Sequence, residues 1–196
     1  MRILRATDRK AVPWKNGGGT TSEIAVFPAN AGFDDFGWRI SIADIVRGGP
    51  FSQFPGIDRT LAMLKGRVSL FIAGRAAIDL SVDAPPVEFP GDVATGAELI
   101  GEMATDLNVM TRRDVFTARV TRRSCGEAIG ASADAVATFL FPVTAATLRD
   151  PVADVPLVPR DAVFLPAGES ADLYGPPQAD FYAVEIFPAE KQPKRR

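Results

Sequence analysis

The 196-residue chain contains no histidine. That absence removes Ser-His-Asp and Cys-His catalysis, together with the commonest ligand of transition metals. Only one cysteine is present, Cys125. A lone thiol excludes an internal disulfide framework and, without imidazoles, a Cys/His zinc site or Fe–S cluster. An all-oxygen calcium site would need an Asp-rich loop of calcium spacing, and none occurs. No metal and no cofactor are expected. Long apolar runs are missing as well, since no segment approaches ~18 uninterrupted apolar residues. The first residues lead from Met1 to the charged Asp8, Arg9 and Lys10 without a signal core of ~7–15 apolar residues. A soluble, cytoplasmic protein is expected.

Charge of one sign is also lacking. Lysine plus arginine number 22 and aspartate plus glutamate 24, so no global field recruits nucleic acid or an anionic membrane. Neither is expected as a partner. Lys191, Lys194, Arg195 and Arg196 crowd the final stretch, 191–196, which reads as a basic, disordered tail.

What the chain has is punctuation. Sixteen prolines and seventeen glycines are dispersed along it, leaving little room for helices of ~10–14 residues. Between them run short β-patterned segments. In 38–43, Trp38, Ile40 and Ile42 share one face, with Arg39 and Ser41 on the other. Residues 116–121 alternate as cleanly, and further strands are expected at 61–64, 68–72, 137–141, 162–165 and 181–187. One helical turn near 98–103 is the exception. Many short strands separated by turns argue an all-β sandwich or small barrel. Gly, Ala and Ser cluster near 126–134, where a second set of strands begins.

Two stretches carry a double-barrel signature. Arg59 to Gly66, followed by Gly74, resembles the first cupin motif, and Asp161 to Gly168 resembles the second. Spacing matches, but the ligands do not. Arg59 stands where the cupin glutamate would be, and Ala171 stands in place of the second-motif histidine. Residues 13–25 (PWKNGGGTTSEIA), 38–43 (WRISIA), 49–59 (GPFSQFPGIDR) and 106–110 (DLNVM) form an ordered set. That set is similar to the HutD/Ves family over most of residues 12–115, with a looser match across 116–190. The resemblance implies an all-β double cupin (bicupin) of barrel or jelly-roll sandwich type with little helix. Its N-terminal cupin-like half would be 1–115 and its C-terminal half 116–190. It further implies a tie to bacterial histidine utilisation, through regulation or small-molecule binding, with formylglutamate and related intermediates as ligands. No established catalytic activity comes with it. Cupins often dimerise through strand edges, which leaves a homodimer open.

The candidate ligand-binding residues are Arg59, Asn16, Arg39, Ser41, Asn108, Asp106 and Lys15. A cupin glutamate points into the barrel mouth, so Arg59 would carry a forked guanidinium into a partly dry cup. A cation there needs a partner, either a protein carboxylate or a ligand anion. Asp58, its neighbour, faces the other way if both lie in one regular strand. Arg39 and Ser41 lie either on a solvated sheet face or at the polar mouth of the barrel. Asp106 and Asn108 share a face, and Asn108 could read an amide or simply pair with backbone. Asn16-Gly17-Gly18-Gly19 is either a tight turn, with or without a role in lining a pocket, or an anion nest; Lys15 lies beside it. Glu23 and Asp44 are isolated carboxylates, and Cys125 reads as an ordinary thiol whose pKa nearby arginines could lower. Without histidine to cycle protons, binding of a small anionic metabolite is favoured over catalysis. The alternative is a metal-independent hydrolase or isomerase acting on the same compounds.

Overall fold

The computed structural model describes residues 1–126, 128–149 and 153–190; the expected basic tail lies outside them. Among the described residues seventeen strands form three sheets, and the one helical element is a 3-10 turn at Ala6–Asp8. No helix among those residues is long and apolar enough to cross a membrane.

The first sheet has the order β2-β3-β4-β9-β6-β7, built from β2 (Ala11–Pro13), β3 (Gly19–Phe27), β4 (Trp38–Ile45), β6 (Ile57–Ile72), β7 (Ile78–Ser81) and β9 (Thr95–Arg112). Two short strands, β5 (Gly49–Pro50) and β8 (Val87–Pro90), add to β9 and β6 respectively. The strands expected at 61–64 and 68–72 are one continuous strand, β6. Its pairing with β9 slips register between Met63 and Arg67, and such bulges bend a sheet. Gly66 sits at this bend with φ +71°, and a Cβ there would come within 2.5 Å of the Met103 carbonyl oxygen. The helical turn expected near 98–103 is instead part of β9, held by pairing of residues 95–100 with β6. Gly101, at φ +101°, lies outside helical backbone altogether.

The second sheet runs β1-β15-β12-β17-β10: β1 (Arg2–Leu4), β10 (Phe116–Ser124), β12 (Ala137–Pro142), β15 (Ala162–Leu165) and β17 (Asp180–Pro188). The third runs β11-β16-β13-β14: β11 (Ala128–Gly130), β13 (Ala146–Arg149), β14 (Val155–Leu157) and β16 (Ser170–Tyr174). The second sheet is the middle layer. Phe139, Phe141, Tyr182, Val184 and Ile186 pack on Trp38, Ile40, Ile42, Leu107 and Val109 of the first sheet. From its other face Leu140, Val163, Leu165, Phe181 and Ala183 meet Leu148, Leu157, Ala171 and Leu173 of the third. A sheet covered on both faces needs apolar residues in succession rather than alternation, and all six residues of β12 are buried. Burying each large apolar side chain stabilises by roughly 1.5–3 kcal/mol.

The chain crosses from the first sheet to the second at the turn after Arg112, where Asp114 takes φ +68°. Its extreme N-terminus does not stay with the first half of the sequence. Arg2, Ile3 and Leu4 pair with Phe164, Val163 and Ala162; Leu4 packs on the core between the first and second sheets and Ile3 on the core between the second and third.

Candidate functional site: a polar cup on the first sheet

Period-2 alternation leaves Arg39, Ser41 and Ala43 of β4 on the face opposite the Trp38–Ile40–Ile42 core. Register then sets polar side chains in rows across three strands. Arg39 and Arg59 flank Met110, Ser41 stands beside Asn108, and Ala43 and Met63 flank Asp106. This face is the floor of a cavity of about 790 Å³, a size suited to small-molecule ligands. All seven candidate residues line it: Arg59, Asn16, Arg39, Ser41, Asn108, Asp106 and Lys15. The sheet face left open by the sequence is therefore a cavity wall rather than a solvated surface.

The walls are loops. The Trp14–Gly19 turn brings Trp14, Lys15 and Asn16 to one side. Its glycines answer to backbone geometry: Gly17 has φ +67°, and a Cβ on Gly19 would lie 2.2 Å from the Asp44 carbonyl oxygen. The Gly17 N–H donates to the Trp14 carbonyl at 3.0 Å and the Gly18 N–H to Asn16 Oδ1 at 2.9 Å. Those amides are consumed within the turn, so it is a pocket-lining turn and not an anion nest. Trp14 Nε1 donates to Thr21 Oγ1 at 2.7 Å, fixing the indole on the wall. Opposite stand Phe51, Ser52 and Phe54, with Phe33 at the rim.

Arg59 is 7% exposed. Its Nε donates to Asn108 Oδ1 at 3.3 Å, and no carboxylate among the described residues forms an ion pair with it. Instead the guanidinium lies 5.1 Å from the Phe51 ring centroid, 5.2 Å from Phe89 and 6.0 Å from Phe54. Cation–π attraction to three rings offsets part of the lost hydration. Burial lowers its pKa to about 10, with Asp106 opposing and Arg39 adding to the shift. The group remains a cation at neutral pH. Asp58, as its opposite direction in β6 requires, points away and bonds Arg113 at 2.8 Å.

Asp106 is 4% exposed and Ser41 1%. Asp106 Oδ1 and Ser41 Oγ are both buried without a hydrogen-bond partner. Desolvation raises the Asp106 pKa to about 7; Arg59 and the Ala43 backbone oppose the rise, and Asp44 adds to it. A carboxyl group that exchanges its proton near neutrality is thus present without histidine.

Some of the site was missed at the sequence level. Phe54 and Phe89 were not among the candidate residues, yet their rings cage Arg59. Glu23 is not isolated, because Arg39 Nε donates to its Oε2 at 2.8 Å and the Arg39 guanidinium covers Phe33 at 4.9 Å. Asp44 bonds Arg160 at 2.9 Å and Thr105 at 2.8 Å. Burial and Asp180 raise the Cys125 pKa rather than lower it, and the nearby Arg122 is tied to Asp180 at 2.8 Å. Motif spacing carried no signal for these partners, which come from other strands.

A divalent metal does not fit this donor set. Arg59 brings a cation to one cupin-ligand position, and Ala171 lies in the apolar core of the third sheet. Among the described residues no group of three His, Cys, Asp or Glu side chains could hold one.

A HutD family model matches residues 6–182, and the chain belongs to the HutD family. It is 42% identical over 108 residues to "Protein Ves" of Citrobacter koseri, covering 55% of this chain and 56% of that protein. Over 121 residues it is 36% identical to an "uncharacterized 21.2 kDa protein in hutC 3'region" of Pseudomonas putida, covering 61% and 63%. The aligned part thus spans less than two thirds of these curated relatives. The solved structure of HutD from Pseudomonas fluorescens SBW25 superposes with a TM-score of 0.80 at 27% identity, covering 96% of this chain and 99% of that one. A variant of oxalate decarboxylase from Bacillus subtilis superposes at 0.63 with 8% identity, covering 95% and 77%. That likeness speaks for the fold alone: all-β and cupin-type.

Proposed function

We propose that this protein binds a small anionic metabolite in the cup of its first sheet, without a metal, and serves regulation of histidine or amino-acid catabolism. One observation carries the binding reading: a buried guanidinium with no carboxylate partner among the described residues, held by three phenyl rings at the edge of a cavity. A buried cation is costly unless something anionic meets it, and the forked donors of arginine suit a carboxylate. Arg39 adds a second cation, while Asn108, Asn16 and Lys15 offer further donors on the floor and wall. The histidine connection is supported by the family and by the relative named for the hutC 3' region; a formylglutamate-like compound or another histidine-degradation intermediate fits the cup's charge.

Calorimetric titration with N-formylglutamate, urocanate and glutamate tests the binding reading. A charge-assisted bidentate contact contributes about 1.5–3 kcal/mol, so Arg59→Met should weaken binding roughly 10- to 150-fold. Arg59→Lys should recover only part, since an ammonium lacks the fork. Ligand-free stability of Arg59→Met should be unchanged or raised. An unaltered dissociation constant, or a marked loss of ligand-free stability, would remove Arg59 from the anchoring role. The regulatory reading predicts altered histidine-induced transcript levels of the degradation genes in a strain lacking this protein.

The rival reading is a metal-independent hydrolase or isomerase, and Asp106 is the observation that favours it. A carboxyl titrating near neutrality is the general acid–base group such an enzyme needs. Incubating the protein with the same compounds separates the two, since turnover lost in Asp106→Asn would establish catalysis.

A further inference from the structure

The floor of the cup has two ends of different chemistry. One holds Arg59 and Arg39. The other holds two polar atoms sealed from water and bonded to nothing, Asp106 Oδ1 and Ser41 Oγ. Buried polar groups are almost always satisfied, so two orphans on one cavity floor mark a place where a ligand supplies the partner. Ser41 and Asp106 lie on adjacent strands one pair apart, since Ser41 pairs with Asn108 and Ala43 with Asp106. Such diagonal neighbours sit close enough to share one bound group. The spacing between the two ends follows from the strand. Arg59 Nε reaches Asn108, and Asp106 is the next residue on that face, about 7 Å further along.

We propose that the cup takes a carboxylate that also carries an N–H-bearing nitrogen, bound lengthwise, with its carboxylate on Arg59 and its nitrogen on Asp106 and Ser41. This rests on the anion-binding reading and specifies the ligand's other end. A carboxylate oxygen accepts and cannot donate unless protonated, and a hydroxyl can accept alongside it; an amine, amide or ring N–H satisfies both. A second carboxylate at that end would meet Asp106 as a like charge. The charged groups around the cavity are Arg59 on β6, Arg39 on β4, Glu23 on β3, and the wall lysines Lys10 and Lys15; Asp44, on the opposite face of β4, acts on Asp106 through the sheet. Arg59 and Asp44 act on it most strongly, in opposite directions. Near pH 7 the carboxyl is part-protonated, so the two kinds of ligand move its proton in opposite senses. An ammonium against Asp106 favours the ionised form and releases a proton on binding. A simple carboxylate adds negative charge and drives proton uptake.

Calorimetry with matched probes tests this. Pentanoate and glutarate are compared with 4-aminobutyrate and 5-aminopentanoate at pH 7, in buffers of differing ionisation enthalpy. The better-fitting amino acid should bind about tenfold or more tightly than pentanoate and release protons where pentanoate takes them up. Asp106→Asn should erase the preference, the proton release and the proton uptake seen with pentanoate, whose binding should tighten slightly once no ionised carboxyl opposes it. Pentanoate or glutarate binding as tightly as both amino acids in wild type would overturn the proposal, and so would a preference that survives in Asp106→Asn. In those outcomes carboxylates still bind through Arg59, so the anion-binding reading stands. If no carboxylate binds, and Arg59→Met changes nothing, both readings fall together.

Discussion

Two aspartates, one in each half of the molecule, are buried almost equally and live differently. Asp161 is 1% exposed and Asp106 4%. Asp161 begins the second cupin-like stretch and is fully engaged. Its oxygens accept from Arg5 Nη1 at 2.8 Å, the Ala6 N–H at 2.8 Å and the Val158 N–H at 3.2 Å. Those bonds tie the N-terminal segment to the C-terminal half. Asp106 has one oxygen without a partner and faces a cavity. Around Ala171 the position of the second-motif ligand is filled by Leu173, Leu148 and Ile129, whereas the cup on the first sheet keeps its polar floor. One of these positions is packed into core, and the other borders a cavity with a polar floor. A protein holds a desolvated, unpaired carboxyl only at a cost to folding, and such costs collect where ligands bind.

If that contrast is right, the two aspartates respond to removal with opposite signs. Asp161→Ala leaves the part-buried Ala6 and Val158 N–H groups without their acceptor and Arg5 without its ion pair, and should destabilise by about 3 kcal/mol, measured by urea or guanidinium denaturation at neutral pH. A loss below about 0.5 kcal/mol would erase the distinction between the two residues.

Asp106→Asn should act the other way, and with a pH signature. The native pKa of about 7 lies above the unfolded value of about 3.9, so the native state holds an extra proton between them. The contribution of this group is fully present below pH about 4 and is lost as pH rises through about 7. Asparagine does not titrate. The variant should therefore match wild type near pH 4 and exceed it above pH 7, by on the order of 3–4 kcal/mol for a shift of this size. Denaturation curves at pH 4, 6 and 8 give the difference directly, with other carboxylates cancelling. A constant difference across that range would show that Asp106 ionises normally.

The smallest effect is expected from metal removal. Dialysis against chelator should leave melting temperature and carboxylate binding unchanged, and elemental analysis should find less than one equivalent of Fe, Mn, Ni, Cu or Zn. A full equivalent whose loss abolishes binding would mean that the cup uses ligands beyond the cupin positions occupied by Arg59 and Ala171.

Much of the cup was legible before any coordinates. Alternation in 38–43 and 106–110 is local chemistry, and it sorts Arg39, Ser41, Asp106 and Asn108 onto one side. The Arg59 position followed from motif spacing. The two Phe-Pro units that cage Arg59 were visible, but their neighbour lies in β6, and nothing in Phe54 or Phe89 announces a guanidinium. β9 misled near residue 98 because a stretch without proline there fits a helical turn until β6 supplies hydrogen-bond partners. The N-terminal strand went unread for the same reason, since Arg2–Leu4 is too short to reveal that it completes a sheet formed 160 residues later.

The sequence by itself determined an all-β chain of the HutD family, without imidazoles, with an arginine where a metal ligand would stand. Those properties reside in composition, period and spacing, which need no partner. Only the tertiary structure decided which sheet face closes into a cavity, that Arg59 meets rings instead of a carboxylate, and that Asp106 titrates near neutrality. Burial and electrostatic coupling depend on what other strands bring within a few ångströms, and that proximity exists only once the sheets have packed.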